Sequence, residues 1–366
     1  MIDIEGTFTM VRVGLVGVGF MGWIHYLAYQ RSSSAQLVAF ASRDSAKRRG
    51  DWKSIRGNFG PSGEQIDVST IQAYETLDQL LEDPSIDILD ICLPPHLHAE
   101  TAIAALERGK HVLCEKPLAL RSTECDRILA AAVKHQRMVM VAHVLPYIGP
   151  FSYAARLAET GEYGKVLGGY FKRTISNPDW IPDFFDATRV GGPLIDLNVH
   201  DAHFIRMIFG VPKQVTAVGR VVKESGPSTG NVTSRVTKFA HVIYEYSDPE
   251  ITVASTGGVT DTPGRGFTHG FELNFERATL QFEFSAFADT CETMPLKVLL
   301  QSGEVLRPTL PESDDITAFE LEISDMVTSI ESGDVAERLS PLVARDAIHL
   351  AECIQRSVIE RRSILV

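Results

Sequence analysis

The sequence predicts an α/β fold: a doubly wound parallel sheet at the N-terminus, followed by an α+β domain built on a large, mostly antiparallel open sheet. Three observations carry this reading. From residue 11 to about residue 142 short apolar runs alternate with amphipathic helical patterns, the rhythm of strand-helix-strand units and therefore of parallel pairing. The first run leads into Gly17, Gly19 and Gly22, which stand in GxGxxG spacing between β-branched residues and a helical pattern. Beyond Pro146 the rhythm changes, and from residue 214 to 300 apolar and polar residues alternate without intervening helices, as at Phe239, Val242, Tyr244 and Tyr246 around His241 and Glu245. Such period-two runs suit an open antiparallel sheet.

Element by element, strands are expected at 11–18, 37–41, 86–93, 111–114 and 138–142. Helices fall between them at 97–108, stopped by Gly109, and at 123–135, where Ser122 is placed to cap. Residues 51–69, rich in Gly and Ser, read as an irregular insertion. A helix at 152–159 leads to a long strand at 165–175, a loop with Pro178, Trp180 and Pro182, and a helix at 194–209. Helices at 316–330 and 342–359 are expected to return and cover one of the sheets. With 366 residues the chain is long enough for two domains, divided as 1–145 and 146–366, with the terminal helices free to pack back on the first.

A formal charge of −12 opposes a general role on nucleic acid or anionic membranes, both of which need basic faces. No apolar run reaches bilayer length, and Asp3 and Glu5 stand where a leader would be basic, so a soluble cytoplasmic protein is expected. Five cysteines, Cys92, Cys114, Cys125, Cys291 and Cys353, lack CxxC spacing and are odd in number, which argues against a disulfide framework or a zinc ribbon.

The glycine motif has a physical reading. Gly17 permits the tight turn out of the strand, Gly19 lets backbone approach a pyrophosphate, and Gly22 lets the helix lie close to the sheet. A dinucleotide would sit on the helix N-terminus, where unpaired N–H groups and the dipole favour anions.

Two further clusters bear chemistry. Cys114-Glu115-Lys116-Pro117 ends a strand, where open α/β sheets bind ligands, and Lys116 is suited to donate a proton or clamp an oxygen; a surface ion pair is the competing reading. In Gly191-Gly192-Pro193-Leu194-Ile195-Asp196-Leu197-Asn198-Val199-His200-Asp201-Ala202-His203, a helix from Pro193 would put Asp196, His200 and His203 on one face. A carboxylate one turn from an imidazole can set its tautomer and stabilise its protonated form, as a proton shuttle requires. An Asp balancing the helix dipole and histidines buried in the second domain compete with that reading. A metal held by His200 and His203 with Asp196 or His143 matches no standard spacing, and none is expected.

Taken together, these clusters resemble the Gfo/Idh/MocA family, which includes glucose-fructose oxidoreductase and inositol dehydrogenase. Leu93-Pro94-Pro95-His96-Leu97-His98, Gly109 to Pro117 and Gly164-Lys165-Val166 add to the resemblance, which covers most of the chain. It implies a Rossmann domain holding NAD(P), then a substrate-binding domain that often supplies an oligomer interface, so a homo-oligomeric dimer or tetramer is expected. The implied activity interconverts a secondary alcohol and a ketone on a sugar, cyclitol or related small molecule. Lys116, Asp196 and His200 match the family's catalytic residues. Gly17, Gly19, Phe20, Met21, Gly22, Ser42, Arg43, Leu93, Pro94, His98, Glu115 and Lys116 are the implied cofactor contacts. His143, Tyr147, Arg173, Trp180 and His203 are candidates for the substrate wall. Departures at His96, Pro146, Asn198 and His203 leave the substrate open. Ser42 occupies the acidic position of NAD-selective members and Arg43 follows, so NADP is expected in preference to NAD; a one-residue shift to Asp44 would reverse this. Two other functions remain: oxidation and elimination on a glycoside with transient use of the dinucleotide, His143 and His203 serving as extra bases, and a non-catalytic dinucleotide sensor.

Overall fold

The structure, a computed structural model, describes residues 10–178, 184–223 and 235–366. The chain forms two compact units. One comprises Met1–Ala119, Thr123–Tyr147 and Glu312–Ala344; the other comprises Leu120–Ser122, Ile148–Pro311 and Arg345–Val366.

In the first unit, β1 (Val11–Val16), α1 (Phe20–Arg31), β2 (Ala35–Ala41), α2 (Ser45–Arg48), β3 (Gln72–Tyr74), α3 (Leu77–Glu82), β4 (Ile88–Ile91), α4 (His98–Glu107), β5 (His111–Glu115), α5 (Ser122–His135) and β6 (Val139–Ala142) follow in chain order. The sheet order is β3-β2-β1-β4-β5-β6, and every pair is parallel. The apolar runs become strands covered on both faces, which is why they read as continuous rather than alternating. α1 is buried nearly all round, because it packs against both the sheet and α8 (Thr317–Ser332), which returns to this unit. Phe319, Ile323 and Met326 of α8 share one core with Trp23, Ile24 and Leu37.

The insertion at 51–69 lacks regular structure apart from one bridge between Asp51 and Gln65, yet it is packed. Trp52 is fully buried against Trp23, Tyr26 and Phe40, and its indole donates to Lys47 O at 2.9 Å. Strand β3 and helices α2 and α3 go beyond the sequence reading. They span three, four and six residues, too few for a periodic pattern to register. Ser122 is the first residue of α5 rather than a cap, and its hydroxyl donates to Glu352 at 2.7 Å.

The second unit is built on α6 (Gly149–Thr160), β7 (Val166–Ser176), α7 (Val199–Phe209), β8 (Gln214–Lys223), β9 (Arg235–Glu245), β10 (Thr252–Thr260), β11 (Phe267–Phe275), β12 (Ala278–Ala286), β13 (Cys291–Leu300), β14 (Val305–Leu306), most of α9 (Pro341–Glu360) and β15 (Ile364–Leu365). Its sheet runs β14-β13-β12-β11-β7-β10-β9-β8-β15, antiparallel except where β7 meets β10. Phe151 of α6 and Phe204 of α7 pack with Phe171, Phe271 and Phe282 on the covered face. Phe151, Phe171 and Phe204 are fully buried, each contributing about 1.5–3 kcal/mol. Tyr170, Val218, Ile243 and Met294 are exposed, and the register places them together on the opposite face.

Candidate functional site

The glycine turn joins β1 to α1. Gly17 has φ +100°, and a Cβ there would lie 2.4 Å from the Cys92 carbonyl carbon; a Cβ on Gly22 would lie 2.3 Å from Gly17 O. At Gly19, by contrast, a Cβ would meet nothing within 4 Å. Gly19 is the N-cap of α1 and supplies no side-chain hydrogen bond, so an open surface borders uncapped N–H groups, as an anion requires. Phe20 turns away to meet Phe59 edge-on at 4.8 Å, and Met21 is half-buried against the core.

Ser42 and Arg43 follow the carboxyl end of β2, half-buried and exposed respectively. Asp44 caps α2, its Oδ1 accepting from Ala46 N at 2.8 Å and Lys47 N at 3.4 Å. Lys47 in turn donates from Nζ to Val18 O at 2.6 Å. This puts an ammonium beside the glycine turn.

Lys116 is half-buried at the end of β5. Its N–H donates to Glu115 Oε2 at 3.0 Å. Glu115 is buried, with its other oxygen 3.2 Å from His25 Nε2, which differs from a direct cofactor contact. His98 departs from its expected role in the same way. It is 1% exposed, with Leu93 O 2.6 Å from Nε2 and Pro117 O 2.7 Å from Nδ1. Burial lowers its pKa. Its ring lies between two turns, the one after β4 and the one after β5, and in its neutral form donates its single N–H to one of their carbonyls, while Leu93 and Pro94 remain half-buried and exposed.

In the second unit, Gly191 and Gly192 have φ of +81° and +76° and introduce a π-helical turn, Leu194–Asn198, that runs into α7. Asp196 lies on the π turn and His200 on α7, and both are half-buried. A single α-helix from Pro193 was the expectation; the wider turn replaces its start, a feature frequent at functional sites.

The candidate wall residues turn out to be interior groups. His143 and His203 are 0% exposed, Tyr147 3% and Arg173 5%. Burial, with Arg206 adding, holds the His203 pKa down to about 3. The Tyr147 hydroxyl donates to Asp325 at 2.9 Å, and Arg173 Nε donates to Asp201 Oδ2 at 3.0 Å. A strand arginine and a helix carboxylate buried together must pair, which the alternation of β7 alone does not reveal. Trp180 lies outside the described residues. Among the described residues, the His, Cys and carboxylate side chains close enough to consider for a metal are His25, Asp90 and Cys92, not His200 or His203.

Residues 11–143 match the model of an oxidoreductase family with an NAD-binding Rossmann fold, and residues 151–281 match the C-terminal domain model of the same GFO/IDH/MocA family. The chain belongs to the Gfo/Idh/MocA family. Among its relatives, levoglucosan dehydrogenase of Pseudarthrobacter phenanthrenivorans is 32% identical over 237 residues, 57% of this chain and 53% of that enzyme. Myo-inositol 2-dehydrogenase of Thermotoga maritima is 29% identical over 231 residues, 62% of this chain and 64% of that one. The matches thus span between about half and two thirds of these curated relatives. A levoglucosan dehydrogenase solved with NADH and levoglucosan shares the fold at TM-score 0.75 and 22% identity, covering 98% of this chain and 100% of that one.

Within this Gfo/Idh/MocA chain, Lys47 and His25 are two residues near the motifs that sequence reasoning passed over. Asp44 followed by Ser45, Ala46 and Lys47 was a signal for the α2 cap and hence for Lys47. His25 carried none, since a histidine on a buried helix face reads as core.

Proposed function

We propose that the protein is an NAD(P)-dependent oxidoreductase that interconverts a secondary alcohol and a ketone on a sugar, cyclitol or related small molecule. The observation that carries this is the uncapped, open-faced turn at Gly19 in a chain that also retains Lys116, Asp196 and His200 in half-buried positions. A bound nicotinamide would supply or accept the hydride. His200 takes the hydroxyl proton in the oxidising direction, Asp196 orients its imidazole, and Lys116 polarises the substrate oxygen. The relatives named as dehydrogenases of levoglucosan and myo-inositol support the substrate class.

NADP is the proposed preferred cofactor. Asp44 spends one carboxylate oxygen on the α2 cap, whereas Ser42, Arg43 and the Lys47 ammonium beside Val18 O offer hydroxyl and cationic partners for a 2′-phosphate. Titration of the protein with NADPH and NADH tests this, and tighter NADH binding would overturn it. A cofactor-linked screen over polyols, aldoses, keto-sugars and glycosides tests the reaction itself; no turnover on any of them, or undiminished turnover in His200→Ala, would refute it.

Among the described residues no helix is long and apolar enough to cross a membrane. The exposed sheet face bearing Tyr170, Val218, Ile243 and Met294 supports a homo-oligomer, tested by sedimentation.

A further inference from the structure

The first unit holds a buried polar cluster that joins the glycine helix to the Lys116 corner. His25 of α1 is fully buried. Its Nδ1 lies 2.8 Å from Asp90 Oδ2 on β4, and its Nε2 lies 3.2 Å from Glu115 Oε1 on β5. A neutral imidazole has one N–H to donate, and ionised carboxylates only accept, so bonding to both requires the doubly protonated ring. Tyr29, one turn further along α1, donates to the same Asp90 oxygen at 2.8 Å, and Cys92 Sγ lies 3.6 Å from Asp90 Oδ1. The 2.8 Å separation is a hydrogen-bond length. Two ligands about 2 Å from one zinc ion in tetrahedral geometry would stand roughly 3.3 Å apart, so the cluster is a hydrogen-bonded network.

Glu322 of α8 completes the surroundings. It is fully buried, and neither of its carboxylate oxygens has a hydrogen-bond partner among the described residues. Burial pushes its pKa well up, with Glu115 and Asp90 adding and His25 opposing. A neutral Glu322 leaves His25 facing two carboxylates, the Cys92 thiol and the Tyr29 hydroxyl. Burial works against charge on His25, yet Asp90 carries its pKa well above the ordinary value.

The network ends on Lys116. The Glu115 oxygen that does not meet His25 accepts the Lys116 N–H at 3.0 Å. We propose that His25 is a positioning residue: as an imidazolium between Asp90 and Glu115, it ties the helix leaving the glycine turn to the Lys116 peptide and so sets that lysine for its work at the cofactor. The placement is read from the hydrogen bonds, while the purpose rests on the oxidoreductase reading.

Two measurements on the full chain test it. With 15N-labelled histidine, the ring nitrogens of His25, assigned by their loss in His25→Gln, are expected at imidazolium positions at pH 8, well above the usual histidine pKa of about 6.5. A neutral-tautomer pattern overturns the proposal whatever the protein catalyses. The second measurement is protection of Lys116 from a lysine-acylating reagent by saturating NADPH, read by mass spectrometry. His25→Asn, which keeps only the Asp90 side of the ring, is expected to lose about tenfold of that protection with dinucleotide affinity unchanged. His25→Gln, whose amide reaches toward Glu115, is expected to restore it. Equal protection in all three proteins, or equal loss in both variants, overturns the proposal. Absence of dinucleotide binding in the unaltered protein instead sinks the oxidoreductase reading, and the histidine resonances still decide the charge state.

Discussion

His203 and His269 are histidines whose burial has a measurable consequence for stability. Burial holds each pKa down to about 3, with Arg206 adding at His203 and Arg173 at His269. In the unfolded chain both return to about 6.5. Below that value the unfolded state binds protons that the folded state refuses, so stability is full above pH 6.5 and falls as pH drops toward 3, by up to about 1.4 kcal/mol per pH unit for each ring. His269→Phe is expected to flatten that acid slope in a series of thermal melts, its ring joining Phe151, Phe267, Phe282 and Phe284 already around the site. An unchanged slope would mean His269 is protonated in the fold. Arg173 and Asp201 make the opposite case, a buried charge pair. Asp201→Ala is expected to cost about 3–5 kcal/mol by stranding the guanidinium, and Arg173→Met in the same protein to recover much of it, as urea unfolding would show. Both cases mark where sequence reasoning stopped. A histidine or a strand arginine has the same letter whether it faces a pocket or a core, and only the packing around His203 and Arg173 distinguishes the two.

At the level of elements, the glycine turn carries the sharpest prediction. Gly22→Val would place its Cβ 2.3 Å from Gly17 O and 3.6 Å from Leu15 Cδ2, forcing α1 off the turn. Dinucleotide affinity is expected to fall more than about tenfold, with the far-ultraviolet dichroism of the folded protein retained; unchanged affinity would remove the motif from the binding site. This turn was legible because Gly17 and Gly22 each answer to a separate steric demand. The long strands β7 and β9 and the helices α8 and α9 were legible for a related reason, since many residues report one period. Strand β3 and helix α2 were not, because three or four residues carry no period. The π turn before α7 escaped for a subtler reason: an α-helix and a π turn ask for the same kinds of residue, and the Gly191-Gly192 pair that introduces it reads equally well as an ordinary loop.

For the whole molecule, two compact units mean that unfolding need not be a single transition. A dinucleotide bound at the Gly19 turn, as proposed, would stabilise the native first unit that carries the turn. At about a hundred times its Kd it adds roughly 2.7 kcal/mol, or a rise of about 5–10 °C in that unit's midpoint. NADPH and NADH at one concentration are therefore expected to give unequal shifts, each tenfold in affinity separating them by about 1.4 kcal/mol; an NADH shift equal to or larger than the NADPH shift would overturn the proposed preference. Hydrogen exchange tells which residues share in the gain. Because Phe319, Ile323 and Met326 lie in one core with Trp23 and Ile24, protection is expected to rise over Glu312–Ala344 together with residues 11–31, although nearly three hundred residues of chain separate the two stretches. Protection confined to the N-terminal stretch would show that α8 opens independently, and that the first unit reaches its stability without the helix that buries Glu322 beside His25.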